Sequence, residues 1–174
     1  MPYIQKEILI ISNYRKDAQF SMLRFADLLT SDHDNHFEIN EIFPAPILGK
    51  LFHNTRIFKW AAYFDKILLF TKRLRSKLQE KNYHLVHILD HSNSIYLPII
   101  KNFSNGIRLI TCHDLIAVKS HLGFFDYAPK LSCTGHLLQN LILKSLNSSN
   151  YWVCDSMQTQ LDINKIIPCS LERS

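Results

Sequence analysis

The chain has 174 residues, of which 47% are hydrophobic and 20% are charged, a balance that excludes general disorder. This length suits one domain with a single core and excludes a second full domain. The formal net charge of +5 favours anionic partners in general, such as phosphate esters, acidic lipid surfaces or nucleic acid, without choosing among them.

The cysteines and the apolar runs bear on the cellular compartment. Cys112, Cys133, Cys154 and Cys169 show no C-x-x-C spacing, which favours reduced thiols over a disulfide framework or a zinc knuckle. The apolar stretch at residues 8–11 is too short for a signal peptide, and no later run reaches the roughly 18 apolar residues of a membrane span. We therefore expect a cytoplasmic protein that does not span a membrane.

Short apolar runs alternate with segments of helical periodicity in the first third of the chain. Met22, Phe25, Ala26 and Leu29 recur at the spacing of a buried helix face. The predicted elements are a strand over residues 7–12, a helix after the loop at residues 13–19, a strand over residues 37–42 and a loop over residues 45–55.

The longest helical pattern spans residues 56–81 and combines an apolar stripe with basic side chains beside it. The stripe contains Trp60, Tyr63, Ile67, Phe70, Leu74 and Leu78. It could pack on the sheet, as most such stripes do, or it could attach the protein to an anionic membrane through its rings and basic side chains. The residues of this candidate membrane or partner surface are Lys59, Trp60, Lys66, Arg73 and Lys77.

The second half of the chain continues the alternation of strands and helices. A long connection over residues 115–133 is of a length that often forms a binding loop or lid. The alternation predicts an α/β fold with a Rossmann-like, doubly wound parallel sheet. The predicted elements are strands over residues 85–89, 107–112 and 151–154, and helices over residues 96–102, 138–146 and 156–165.

Four of the predicted strands end in a pair of polar residues. Because the carboxyl ends of parallel strands share one edge of the sheet, and open α/β sheets bind ligands at that edge, these pairs predict the position of the site. The pairs are Ser12 and Asn13, Asp90 and His91, His113 and Asp114, and Asp155 and Ser156.

Each of these polar residues also has a structural interpretation. Asp90 could accept a hydrogen bond from the following backbone in an ordinary Asx turn. His113 could cap the sheet edge and Asp114 the next turn, while Asp155 and Ser156 sit where residues cap a helix. These alternatives stay open from the residues alone.

Four longer segments, which contain all of these polar residues except Ser12, resemble the N-terminal half of the family 4 glycosyltransferases. They are NYRKDAQFSMLRFADLL (residues 13–29), HILDHSNSIYLP (87–98), TCHDLIAVKSHLG (111–123) and TGHLLQNLILKSLNSSNYWVCDSMQTQLDI (134–163). Those enzymes have the GT-B architecture, in which two Rossmann-like domains face each other across a cleft. The resemblance implies an acceptor-side domain over residues 1–163, followed by a tail at residues 164–174.

The resemblance also implies an activity and roles for particular residues. The reaction would be retaining transfer from a nucleotide sugar, bound as co-substrate with no tightly bound cofactor or metal, to a sugar or lipid-linked acceptor. His113 would hydrogen-bond the donor sugar and Asp114 would orient the groups near it. The substrate-binding residues would be Asp90, His91, Asn13, Arg15 and Gln19. Many members carry a glycine pair in the first loop, and here the side chain of Arg15, Lys16 or Gln19 could take its place.

In the resembling enzymes most contacts to the nucleotide sugar come from a second domain, which residues 164–174 do not resemble. The sequence therefore predicts a donor-binding domain absent from these 174 residues, and little turnover by the chain alone. An alternative is a non-catalytic or split-subunit module that borrows a donor domain from another chain. A peripheral position on the inner face of the cytoplasmic membrane would suit a lipid-linked acceptor.

A metal-dependent hydrolase is a further alternative. Its ligands or base would come from His87, Asp90, His91, His113 and Asp114, although no firmly spaced ligand motif is present. Nucleic acid is not an expected partner, because the basic residues concentrate on one amphipathic helix without a recognisable nucleic-acid module.

Overall fold

The computed structural model describes residues 5–15, 20–31, 36–52, 57–125 and 131–167. Within these ranges the chain forms a five-stranded sheet in which all neighbouring strands are parallel, with helices on both faces. This confirms the predicted α/β class and the Rossmann-like, doubly wound arrangement. The strands are β1 (Lys6–Ile11), β2 (Phe37–Ile42), β3 (Leu85–Ile88), β4 (Ile107–Cys112) and β5 (Tyr151–Cys154), in the spatial order β2-β1-β3-β4-β5.

The described ranges also contain eight α-helices, one π-helical turn and one 3₁₀ turn. The helices are α1 (Phe20–Ser31), α2 (Leu48–Leu51), α3 (Phe58–Phe64), α4 (Phe70–Glu80), α5 (Leu97–Phe103), α6 (Ile116–His121), α7 (Cys133–Leu146) and α8 (Met157–Ile166). A π-helical turn, Asp65–Leu69, joins α3 to α4, and a 3₁₀ turn, His91–Tyr96, leads into α5.

Successive strand residues point to opposite faces of the sheet, and each face has its own core. The larger core includes Ile11 and Ile88 and is covered by α4, α5 and α7. The smaller core joins Ile10 and Leu89 to Ala26 of α1 on the other face. The sheet is therefore fixed from both sides, so the loops at its carboxyl edge extend from a rigid base.

The order of the strands reverses between β1 and β3. The chain first places β2 on one side of β1 and then returns to place β3 on the other side. In open parallel sheets a crevice forms outside the carboxyl ends of the strands at such a reversal, and ligands bind there. The segments beginning at Ser12 and Leu89 border this switch point.

A helix occupies part of the loop predicted over residues 45–55. The N–H groups of Leu48 and Gly49 at the start of α2 donate to the carboxylate of Asp65, at 2.9 and 2.8 Å. A four-residue helix has too few internal hydrogen bonds to be stable alone, and here the cap comes from a distant residue. The periodicity of the local sequence could not indicate it.

Another helix, α6, lies in the connection predicted over residues 115–133. Asp114 accepts a hydrogen bond from the N–H of Ile116 at 2.9 Å, which stabilises the first turn. Farther along the chain, α8 continues to Ile166, beyond the predicted domain end at residue 163. Gln19 and residues 168–174, which include Cys169, lie outside the described residues. The three described cysteines, Cys112, Cys133 and Cys154, are free thiols.

The helix predicted over residues 56–81 is interrupted by the π-helical turn Asp65–Leu69. A π turn holds more residues than an α turn, so it rotates every later side chain about the helix axis. Phe70, Leu74 and Leu78 are buried, whereas Trp60 is 65% exposed. The stripe of the sequence pattern is thus divided into a buried part on the sheet and an exposed part.

None of the helices in the described ranges combines the length and the apolar character that a membrane crossing needs.

Candidate functional site

The polar residues after β1 and β3 form one buried hydrogen-bonded cluster at the switch point. Asn13 Nδ2 donates to Asp90 Oδ2 at 2.7 Å, and Asn93 Nδ2 donates to Asn13 Oδ1 at 2.7 Å. The backbone N–H of Ser92 donates to Asp90 Oδ1 at 2.8 Å, which is the predicted Asx turn. The structural and the functional interpretation of Asp90 are therefore compatible, because the Asx turn orients its carboxylate toward Asn13 at the end of β1.

Asp90 is held in its ionised form by its neighbours. Burial raises the pKa of this carboxyl, but the charge that His91 carries when it is protonated and the hydrogen bonds from Ser92 and Asn13 together lower the pKa below its ordinary value. Burial lowers the pKa of His91, against the opposing effect of Asp90 and Asp114. His91 is therefore neutral near pH 7, and the hydrogen bonds are the contribution that keeps Asp90 charged there.

His91 has a buried nitrogen that no hydrogen bond satisfies. Its Nδ1 lies 3.3 Å from Asp90 Oδ1 but has no hydrogen-bond partner in the part of the chain that the structure describes. Buried polar atoms almost always find a partner, and an exception in a cleft calls for an explanation. A neutral imidazole nitrogen either donates or accepts, so this atom could bond a ligand hydroxyl once the buried ring turns toward the cleft.

His113 spans the ends of three neighbouring strands. Its Nε2 lies 3.0 Å from the carbonyl oxygen of Leu89, and its Nδ1 lies 3.0 Å from Asp155 Oδ2. Both partners accept hydrogen bonds, so the ring satisfies both only when each nitrogen carries a proton. Phe25 of α1 packs edge-on against the ring, with 5.7 Å between the centroids.

The contact of His113 corrects one predicted role. Asp155 was expected to cap the last helix, but it pairs with His113, and Ser156 alone caps α8 by accepting from the N–H of Thr159 at 3.1 Å. The backbone of Ser156 is extended, which directs its hydroxyl toward the free N–H groups of the first turn of α8. The Asp155 side chain remains half exposed at the edge of the sheet. A sugar hydroxyl at Nδ1 would thus compete with an exposed carboxylate.

A cleft of about 360 Å³ opens over the ends of β3 and β4, between α1, α6 and α7. This volume lies within the range of about 300–1,000 Å³ that is typical of small-molecule sites. We call it the rim cleft; its lining residues are Ser21, Met22, Asp90, His91, Ser92, His113, Asp114, Ala117, Gln139 and Ile142.

A second pocket, of about 370 Å³, lies at the switch point itself. It is bounded by the segments after β1 and β3, by α3 with its π-helical turn, and by one residue of α7. We call it the switch-point pocket; it is lined by Asn13, Tyr14, Phe58, Lys59, Ala62, Tyr63, Lys66, Ile67, Ser92, Asn93, Ile95, Tyr96 and Leu138. Ser92 lines both cavities, and the Asn13–Asp90 hydrogen bond lies between them.

The structure brings together some of the predicted site residues and separates others. Asp90, His91, His113 and Asp114 all line the rim cleft, and Asn13 lines the neighbouring pocket. Arg15 is turned toward β2, where it lies 3.5 Å from Glu41 and stacks on the ring of Phe43. Its side chain is therefore engaged away from the cleft.

The predicted membrane or partner surface is divided in the same way. Lys59 and Lys66 line the switch-point pocket, and Trp60 lies exposed beside them. Arg73 and Lys77 line a different groove along β2, and Lys77 pairs with Glu80 at 3.1 Å. The π-helical turn is the physical reason, because it rotates α4 relative to α3.

The metal-dependent alternative finds no ligand set in the described ranges. No group of three or more His, Cys, Asp and Glu side chains there is placed to hold one metal ion. His87, one of the proposed ligands, lies on β3, and its Nε2 is 2.8 Å from the hydroxyl oxygen of Thr111 on β4. Burial lowers the pKa of this imidazole to about 4, so it is a neutral structural group.

Three residues of the site were missed from the sequence. Tyr14 directly follows the predicted residue Asn13, and Asn93 lies two residues after His91, but nothing in their types marked them as members of buried hydrogen bonds. Asp65 is fully buried and accepts from two backbone N–H groups and from the hydroxyl of Tyr14 at 3.3 Å. An aspartate in the middle of an aromatic and basic helical pattern was the signal that could have identified it.

The fold and the site define a doubly wound α/β domain with a polar cleft at the carboxyl edge of its sheet. The chain matches no known family model and no curated protein.

Proposed function

We propose that the chain contains the acceptor-side domain of a retaining, nucleotide-sugar-dependent glycosyltransferase of the GT-B type. The transferred group would be a hexosyl unit, and the acceptor a glycan or a lipid-linked sugar. The proposal follows from the resemblance of four segments to the family 4 enzymes. It is supported by the arrangement of polar groups in the rim cleft.

The observation that carries the proposal is the set of three hydrogen-bonding groups that line the rim cleft. Asp90 is ionised and accepts hydrogen bonds. The buried Nδ1 of His91 has no hydrogen-bond partner in the described residues, and Nδ1 of His113 contacts the exposed carboxylate of Asp155. Sugar hydroxyls both donate and accept, so they suit acceptors and donors placed a few ångströms apart. Met22, Ala117 and Ile142 supply apolar surface for the faces of a sugar ring.

The rim cleft also indicates what the chain does not provide. No lysine or arginine is among the described residues that line it, and Arg15 is engaged with Glu41. Negative charge on a leaving diphosphate therefore has no strong cationic partner among these residues. Because losing even one such contact typically costs about 100-fold in rate, we expect residues 1–174 alone to bind an acceptor without efficient transfer.

Affinity measurements on a panel of mono- and disaccharides, by calorimetry with the folded chain, test the proposal. We expect one class of sugar to bind, and Asp90→Asn and His113→Ala each to weaken binding about tenfold or more, as expected for losing a hydrogen bond to a charged group. Asp27→Asn, on the exposed side of α1, is the matched control and should bind normally. A well-folded chain that binds none of the panel, or an Asp90→Asn variant with unchanged affinity, would contradict the proposal.

A further inference from the structure

Two histidine side chains meet between the end of α6 and the start of α7. His121 is the last residue of α6, and His136 is the fourth residue of α7. Their Nδ1 atoms are 2.8 Å apart, and 4.9 Å separates the centres of the two rings. The two residues belong to no ligand motif of the sequence, so only the fold brings these imidazoles together.

A third side chain assigns the protons of the pair. Asn140 lies one turn after His136 on α7, and its Oδ1 is 3.1 Å from Nε2 of His121. An amide oxygen accepts, so Nε2 of His121 donates and carries the single ring proton of the neutral imidazole. Nδ1 of His121 therefore keeps a lone pair directed at His136, and in the neutral pair Nδ1–H of His136 donates to it.

This arrangement is the one in which histidines bind metal ions. A ligating imidazole coordinates through one nitrogen and donates its other N–H to an oxygen, which fixes the tautomer and the orientation of the ring. For His121 that oxygen is Oδ1 of Asn140, and the coordinating atom is Nδ1. The exposed ring of His136 supplies a second nitrogen when its proton moves from Nδ1 to Nε2.

The distance between the two nitrogens selects a class of ion. Bonds from imidazole nitrogen to a metal are about 2.0–2.1 Å long, so nitrogens 2.8 Å apart subtend about 85–90° at the ion. This angle is that of neighbouring ligands in square-planar or octahedral coordination, whereas a tetrahedral ion needs about 3.3 Å between its ligands. Imidazole ligands in tetragonal geometry favour Cu²⁺ and Ni²⁺, and hard ions such as Mg²⁺ and Ca²⁺ prefer oxygen.

The surroundings of the pair permit the small movements that coordination requires. The ion lies beside the line that joins the two nitrogens, so each ring turns to direct its lone pair at it. His136 and Asn140 are both exposed on α7, and their side chains can follow. Because no group of three His, Cys, Asp and Glu side chains in the described ranges is placed around one ion, water supplies the other ligands.

We propose that His121 and His136 form a two-histidine site for a divalent transition-metal ion of the tetragonal class, Cu²⁺ or Ni²⁺. Asn140 orients the first ligand, and the ion takes the place of the hydrogen bond between the rings. The bound ion joins α6 to α7, and both of these helices line the rim cleft, through Ala117 and Gln139. The site does not depend on the proposed transferase activity.

Calorimetric titration of the untagged chain with Ni²⁺, in a buffer that does not chelate metals, tests the site. We expect one ion per chain. Asn140→Ala removes only the outer hydrogen bond and should weaken binding about tenfold. His121→Ala and His136→Ala each remove a ligand and should weaken it by more than that. His36→Ala removes an exposed histidine before β2 and is the matched control, which should bind Ni²⁺ as the parent does.

The spectrum of bound Cu²⁺ identifies the ligands independently of affinity. Electron paramagnetic resonance should show a tetragonal ion with two imidazole nitrogens, and one nitrogen fewer in His136→Ala. Cys133→Ser is the background for this measurement, because Cys133 is an exposed thiol on the same helix. Circular dichroism of each variant establishes that it is folded.

Four results would overturn the inference. The absence of saturable binding at millimolar Ni²⁺ would leave the pair as a plain hydrogen bond between histidines. Equal loss of affinity in His36→Ala would mean non-specific binding, and loss in Cys133→Ser would assign the ion to the thiol. Binding of Zn²⁺ more tightly than Ni²⁺ would contradict the tetragonal geometry. Sugar affinity of the rim cleft is measured without metal, so failure of either proposal is seen separately.

Discussion

The side-chain amide of Asn13 donates a 2.7 Å hydrogen bond to the carboxylate of Asp90, 77 positions away in the sequence. Both residues are buried, and they join the ends of β1 and β3 where the strand order reverses. Asn13 lines the switch-point pocket and Asp90 lines the rim cleft. One hydrogen bond therefore helps to shape both cavities.

We expect Asn13→Ala to lower the free energy of unfolding by about 2–3 kcal/mol. The substitution removes a donor from a buried charged carboxylate and an acceptor from Asn93, and leaving such groups unsatisfied is costly. Urea denaturation followed by circular dichroism measures the change. Asn102→Ala, at an exposed position on α5, is the control and should stay within about 0.5 kcal/mol of the parent. Equal stability of the two variants would mean that the Asn13 network contributes nothing.

Gly49 occupies a position where any side chain meets Tyr14. A Cβ atom built there would lie 2.3 Å from the Tyr14 hydroxyl and 3.2 Å from Asp65 Oδ2. Tyr14 is buried and cannot swing into solvent, so we expect Gly49→Ala to destabilise the fold by about 1–3 kcal/mol despite the better helix propensity of alanine. Thermal unfolding of the variant measures the effect.

Gly135 provides the matched control, because it also lies in a helix. A Cβ at Gly135 would have its nearest neighbours at 3.4 Å, so Gly135→Ala should be neutral or stabilise by up to about 1 kcal/mol. If both alanine variants melted at the parent temperature, the close packing of α2 on Tyr14 would be refuted.

His87 makes the stability of the fold sensitive to acid. Its pKa is lowered by burial to about 4, against an ordinary value of 6.5, so the folded state binds fewer protons than the unfolded state between these two pH values. Stability from this group is fully present above pH 6.5 and is lost as the pH falls toward 4, by about 3 kcal/mol in total. The measurement is the free energy of unfolding at several pH values across this window.

His87→Gln isolates this contribution from that of the other histidines. Glutamine can still bond the hydroxyl of Thr111 but does not titrate, so the pH dependence of the variant should be shallower than that of the parent by most of this amount. Parallel pH profiles for the two proteins would show that His87 is already accessible to protons in the folded state.

The edge of the sheet that holds the site could be predicted from the sequence. Apolar runs that end in polar pairs carry two signals at once, strand periodicity and the position of the carboxyl end, and parallel pairing then brings those ends together. Asp90, His91, His113 and Asp114 were placed on one rim in this way, and all four line one cleft.

What could not be predicted depends on partners distant in sequence. The capping of α2 by Asp65 and the pairing of His113 with Asp155 each join separate elements, so no local pattern contains them. The π-helical turn is a further case, because the sequence around it has the periodicity of an ordinary α-helix. Only the burial of Asp65 in the folded protein distinguishes this turn. Trp60 and the buried Phe70 were consequently assigned to the same stripe.

The position at which a sugar binds is the most direct test of the acceptor-domain account. Amide chemical shifts of the isotope-labelled chain, recorded during titration with the tightest-binding sugar of the panel, locate the site by residue. The account predicts perturbations at Asp90, His91, His113 and Asp114, with saturation, and none along the amino ends of the strands. Perturbations confined to the groove of Arg73 and Lys77, or a folded chain whose rim cleft amides do not move with any sugar, would contradict it.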